Sequence, residues 1–225
     1  MKCVLQKMRL SIQALILILV VTGSASHLAG QVGTGQTVLQ KATEQFENSP
    51  LKTTVLGQGL FMFSGDGGDV TAIVDNGSTL LIDGGMDTRV AELSDAIFKA
   101  TMRPVTRLVN THWHFDHTGG NVFLGSAGVT IIAQENVKKR LSSVQNVPFV
   151  GLRDGHYPPE ALPTVTYSSS MTLHQGLQQL TLVNYGPAHT DGDTVVYISP
   201  ANVAVVGTFS PITSIPSLIW RREDQ

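Results

Sequence analysis

A chain of 225 residues has room for one domain with a sizeable core. Its formal net charge of −2 and its 14% of charged residues leave no basic stripe of the kind that neutralises phosphates, which excludes nucleic acid as a partner. The one cysteine, Cys3, lies ahead of the first apolar run, so the mature chain is expected to hold no thiol and no cysteine metal ligand.

Lys2, Lys7 and Arg9 precede an apolar run from Ala14 to Val21, and Gly23, Ser24, Ala25 and Ser26 follow it. That order reads as a signal peptide over residues 1–25, cleaved near Ala25. The run is well short of the roughly 20 apolar residues that span a bilayer, so no stable membrane anchor is expected after cleavage, although an uncleaved anchor is the alternative reading. Cys3 is not placed for lipid attachment. A periplasmic or secreted location follows, compatible with a thiol-free chain. Residues 26–50 form a polar lead-in with a short helical stretch at Thr37–Phe46.

The domain is expected over 51–207. Runs at 54–63, 70–75 and 78–83 are rich in β-branched and apolar residues and predict strands, with Asn76-Gly77 turning the last two into a hairpin. The period then changes: Val90, Leu93, Ile97 and Ala100 share one helical face over 88–102, with Asp87 or Thr88 as cap and Pro104 closing. Val105 to Val109 is an apolar strand, and a histidine cluster begins three residues beyond it, at the carboxyl end where α/β sheets commonly place chemistry. Gly119-Gly120 starts a short helix, 129–133 a strand, and 135–143 a helix whose Lys138, Lys139 and Arg140 form a solvated face.

Prolines and glycines make 145–163 a long loop, expected to wall the site. Short strands at 164–168, 170–175, 178–184, 194–199 and 203–206 follow, and 208–225 reads as an irregular or atypical tail. Strands, then helices, then strands again predict an α+β domain in which packed sheets carry helices outside.

Residues 112–117 read His-Trp-His-Phe-Asp-His. In an extended segment His112 and His114 project to one side, so two imidazoles are able to share an ion. Zinc prefers four ligands; three from the protein plus water make an open catalytic centre, and His189 is the natural third. Asp116 and His117, on the following turn, face a second position beside the first. Structural zinc sites usually use cysteines and saturate four ligands, which this set does not. His156 and His174 read as ordinary loop and strand residues, and Trp113 and Phe115 as packing under or around the site.

The pattern His112-x-His114-x-Asp116-His117 before Gly119-Gly120 resembles the metallo-β-lactamase superfamily motif. Leu80-Leu81-Ile82-Asp83-Gly84-Gly85 and Gly186-Pro187-Ala188-His189-Thr190-Asp191-Gly192-Asp193 extend the resemblance, in order, from about Val55 to Gly207. It implies an αββα sandwich with metals at one sheet edge. It also implies a first zinc on His112, His114 and His189, and a second to which Asp116 and His117 contribute. By the same resemblance Asp116 would also orient the nucleophile, and Asp83 looks like the family's aspartate behind the ligands, the carboxylate that fixes an imidazole.

The implied activity is zinc-dependent hydrolysis of a carbonyl-type bond, a β-lactam or another cyclic amide or ester, in a small-molecule substrate. Two departures bear on it. Thr208 stands where the family usually places a second-site ligand, and no histidine follows His189, so one zinc site is expected and the second is in doubt. The chain also ends sooner than the resemblance implies, so the last strands and helix of the sandwich are expected to be missing. The competing expectation is a zinc-binding fragment with little or no activity.

Overall fold

The computed structural model describes residues 49–57, 59–65, 68–147, 152–154, 156–208 and 218–221. The expected signal peptide, the helix at Thr37–Phe46 and most of the tail lie outside the described residues. Among the described residues no helix is long and apolar enough to cross a membrane.

The elements run β1 (Lys52–Gly57), β2 (Leu60–Ser64), β3 (Val70–Val74), β4 (Thr79–Ile82), a 3-10 turn (Asp87–Arg89), α1 (Val90–Thr101), β5 (Val105–Asn110), α2 (Phe115–Thr118), α3 (Asn121–Ser126), β6 (Thr130–Gln134) and α4 (Glu135–Leu141). There follow β7 (Gln145–Val147), β8 (Leu152–Asp154), a 3-10 turn (Pro159–Ala161), β9 (Val165–Tyr167), β10 (Ser170–Gln175), β11 (Gln178–Val183), β12 (Val195–Ser199), β13 (Val203–Val206) and β14 (Leu218–Arg221).

Seven strands form one sheet in the order β1-β2-β3-β4-β5-β6-β9, and β10 to β14 form a second in chain order. The first sheet starts as an antiparallel meander and turns parallel from β4 through β5 and β6 to β9. Each parallel step needs a crossover, and α1, then α2 with α3, then α4 supply them. β4 is buried along its whole length because both faces of this sheet are covered. In the second sheet β10 and β11 alternate buried and exposed positions, the signature of a sheet with one wet face.

The inner faces meet through Leu60, Ile73, Leu80, Ile82, Val109 and Ile132 on one side and Leu180, Leu182, Val196, Ile198, Val203 and Val205 on the other. On the outer face of the seven-stranded sheet, Leu93 and Ile97 of α1 and Leu124 of α3 pack against Phe63, Val70, Ala72, Leu81, Leu108 and Ile131. Val137 and Leu141 of α4 join Ala133, Tyr157 and Ala161 in a third cluster. This is the expected α+β sandwich of two sheets with helices outside.

Parallel pairing puts the carboxyl ends of β4 and β5 at the same sheet edge, so Asp83 and His112 start as neighbours. Two glycines set how closely that edge meets the helices. Gly84 N–H donates to the His117 carbonyl at 2.7 Å, and a side chain on Gly120 would collide with the Gly84 carbonyl.

Several local expectations need correction. The run 54–63 is two strands, broken where Gly57 and Gly59 take φ of 107° and 79°, and a Cβ on Gly59 would stand 2.9 Å from the Val74 carbonyl. The hairpin expected at Asn76-Gly77 does form, and its turn is closed by Asp75, whose carboxylate accepts the Gly77 and Ser78 N–H groups at 2.7 and 2.8 Å. Neither Asp87 nor Thr88 caps α1 through its side chain, because the chain enters by a 3-10 turn first. The short helix expected at Gly119-Gly120 forms as α3, with Gly120 as its N-cap, and one further helical turn, α2, precedes it from Phe115. Finally, the loop 145–163 holds the β7–β8 hairpin, and the tail contributes β14, antiparallel to β13.

Candidate metal centre

Beyond Asn110 the backbone is pinned by Asp83. One carboxylate oxygen accepts the Thr111 N–H at 2.7 Å; the other accepts the Thr111 hydroxyl at 2.7 Å and the His117 Nδ1–H at 2.7 Å. Asp83 is 1% exposed and sits at φ 64°, a left-handed conformation that aspartate tolerates better than most residues. With its hydroxyl proton committed to Asp83, Thr111 is left as acceptor for His112 Nδ1–H at 3.2 Å. The His112 ring is thereby set in the tautomer that leaves Nε2 with its lone pair, and the His117 ring is held by Asp83 through Nδ1.

His112 Nε2 is buried and has no hydrogen-bond partner among the described residues. Such an atom costs stability unless something fills its lone pair. Around it the rings of His114, His117 and His189 lie 4.9, 4.2 and 5.1 Å away, centroid to centroid. His189 Nε2 and His114 Nδ1 approach to 2.9 Å. Ligand atoms of His112, His114 and His189 lie within 4.8 Å of one another, and so do those of His112, Asp116 and His117, so the two triads share His112. The donor set of imidazoles and one carboxylate fits zinc.

The protonation pattern follows from burial and neighbours. Burial holds His112 well below the usual imidazole range, and His114 down at about 3, against the pull of Asp116. Burial also lowers His189. Burial acts to lower His117 too, but Asp116 and Asp83 outweigh it and hold it well above the ordinary value. Asp116 is opposed by its burial yet brought down to about 2 by His117. Its carboxylate lies 3.4 Å from His117 Nε2. The first triad is thus three neutral imidazoles, ready to ligate, with an anionic carboxylate beside them.

The edge is completed from β13. A Cβ on Gly207 would stand 2.5 Å from Thr111 Oγ1 and 3.1 Å from His112 Nδ1, so only glycine lets this strand end so close. Thr208 Oγ1 then reaches His117 Nε2 at 3.2 Å.

The match to the metallo-beta-lactamase superfamily model runs over residues 64–224. The chain belongs to the metallo-beta-lactamase superfamily. Solved structures with this fold include a metallo-beta-lactamase with a HARLDQ motif from Cronobacter sakazakii, at TM-score 0.60 and 18% identity over 72% of this chain and 64% of that one. A subclass B3 metallo-beta-lactamase of Bradyrhizobium japonicum matches at TM-score 0.59 and 20% identity, covering 73% of this chain and 60% of that one. A metallo-beta-lactamase from Pontibacter korlensis matches at TM-score 0.52 and 25% identity over 66% and 67% of the two chains. The chain spans somewhat under two thirds of the length of the first two.

In this superfamily member His112, His114, Asp116, His117 and His189 converge, with Asp83 behind them. His156 is exposed and His174 exposed on β10, and neither belongs to either triad. Phe115 is buried, and Trp113 packs against the Val137 cluster and edge-on to His114. Sequence reasoning missed Asp69, a carboxylate 8% exposed that burial pushes up to about 6 against the opposing pull of His117. Thr111, next to His112, was missed as well, since nothing local shows that its hydroxyl links a ligand to Asp83.

Proposed function

We propose that this chain is a zinc-dependent hydrolase acting on a carbonyl-type bond in a small molecule, with β-lactams and other cyclic amides or esters as the substrate class. The observation that carries the reading is the buried, unpartnered Nε2 of His112 facing His114 and His189, with Asp116 at the rim. Superfamily membership supports a metallo-hydrolase, and the B3 lactamase folds support the substrate class by analogy alone.

His112, His114 and His189 would hold the ion. When bound, zinc supplies Lewis acidity and acidifies a water towards neutral pH. The protein supplies the rest. Asp83 and Thr111 fix the His112 ring, and Asp83 fixes His117. Asp116, kept ionised beside His117, accepts a hydrogen bond from the attacking water and so orients it towards the substrate carbonyl. A second position is bounded by Asp116, His117 and the neutral hydroxyl of Thr208; among the described residues no further carboxylate joins that group, so it would hold an ion weakly and zinc loading is expected to be close to one per chain. The leader read in the first 25 residues supports export to the periplasm or exterior without a lasting anchor.

The full chain, purified with zinc and assayed with a chromogenic β-lactam and a lactone panel, is expected to turn over at least one of them and to lose that activity to a chelator. The second reading, a zinc-binding fragment with little or no catalysis, draws on Thr208 at the second position. Zinc-loaded protein inert across ester, lactone and lactam panels would establish it in place of the hydrolase.

A further inference from the structure

The imidazoles are held in two different ways. His112 and His117 each have a ring partner on the side away from the cluster, and both partners lead to Asp83. His189 has none: its Nδ1 is buried without a hydrogen-bond partner among the described residues. A ligand ring usually takes its orientation from such a partner, so His189 must take it from its backbone.

That backbone is gripped by α4. Asn136 and Arg140 stand four residues apart and therefore share a helix face. Asn136 Nδ2 donates to the Asp191 carbonyl at 2.9 Å. Arg140 spans the Asp191 carboxylate, with Nη2 at 2.7 Å and Nε at 3.2 Å from each oxygen. Between them Gly192 lies so near Val137 that a Cβ would stand 2.8 Å from its Cγ2. The grip is also tied to the neighbouring hairpin, because Arg140 Nη1 donates to Gln145 Oε1 at 3.2 Å.

We infer that Asn136 and Arg140 are positioning residues for the metal centre: through Asp191 they set where His189 presents its imidazole to His112 and His114. The inference rests on the zinc reading above. Arg140 and Asp191 are both part-exposed, with side chains 43% and 29% accessible, so the pair adds little to global stability. Its effect falls on the ligand.

The test is zinc affinity of the full chain, measured by competition with a chromogenic chelator, beside thermal unfolding of the metal-free protein. Arg140→Ala is expected to weaken zinc binding by roughly 10–100-fold, the range seen when a ligand's outer partner is lost, while the metal-free melting temperature stays nearly unchanged. Arg140→Lys recovers part of the affinity, since an ammonium keeps charge but not the two-pronged contact. Asn136→Ala weakens binding in the same direction. In a His189→Ala background, Arg140→Ala has no further effect. Zinc affinity within about twofold of wild type in both Arg140→Ala and Asn136→Ala, or an equal loss with and without His189, overturns the inference and leaves the zinc reading standing. Wild-type protein that binds no zinc overturns that reading, and the inference with it.

Discussion

The two segments that build the candidate metal centre differ in what holds them. Residues 110–117 leave the end of a buried parallel strand and carry their own support: one carboxylate, Asp83, ties the Thr111 backbone and hydroxyl and the His117 ring together. Residues 186–193 form a surface loop in which Pro187 and Ala188 are exposed and His189 Nδ1, on the side away from the cluster, has no partner among the described residues. Its internal order comes from Asp193, which accepts the Thr190 N–H at 2.9 Å and the Thr190 hydroxyl at 2.5 Å. Its link to the other segment is Thr194 N–H to the Thr111 carbonyl at 2.8 Å. A ligand cluster on a strand end is part of the fold; a ligand on a loop is an addition to it.

The sharpest way to break this contrast is at Asp83. Asp83→Ala strands the Thr111 N–H, the Thr111 hydroxyl and His117 in a dry interior, and breaking a buried charged network of this kind costs about 3–5 kcal/mol. Urea unfolding of the metal-free variant is expected to show a loss of that size. His189→Ala, by contrast, is expected to leave metal-free stability within about 1 kcal/mol of wild type, because the loop carries little of the core. If both variants unfold equally easily, the distinction between fold-borne and loop-borne ligands is lost.

Zinc linkage gives the next largest effect. An ion that binds the folded chain stabilises it by about 2.7 kcal/mol at 100 times its dissociation constant. Wild type with zinc is expected to gain that much over chelator-treated protein, whereas His189→Ala at the same zinc concentration gains much less. The metal's contribution then reads directly on the loop ligand.

The smallest expected effect lies at a turn remote from both segments. The Gly77 and Ser78 N–H groups lower the Asp75 carboxyl. A lowered folded value means that its stabilisation is present above the unfolded value of about 3.9 and fades as pH falls through the folded one. Asp75→Ala should cost under about 1 kcal/mol at pH 7, with the difference from wild type shrinking in acid unfolding below pH about 4.

What the sequence revealed follows the same division. The ligand cluster, the strand before it and the apolar face of α1 are local patterns, and His112, His114 and His117 are legible from spacing alone. The partners that make the pattern work come from far along the chain. Arg140 was read as solvated because its helix face is charged, yet its carboxylate lies 51 residues on. The contact of Thr208 with His117 spans 91 residues. Asp69 goes unmarked in the sequence because a carboxylate after Gly68 gives no local sign of burial. The strand at 54–63 was misread because Gly57 and Gly59 interrupt an otherwise continuous pattern, and only their positive φ shows a hairpin there.

The contact between Gly84 and Gly120 acts as a spacer gauge. It sets the gap between the strand end that carries Asp83 and the helix turn that carries His117, and it does so with bare backbone. A single methyl at Gly120 would not remove any donor or acceptor, yet it would force the two ends apart by a fraction of an ångström. The tolerance of the metal pocket is therefore written in a place that touches no metal, where a chemically silent substitution works as a geometric one.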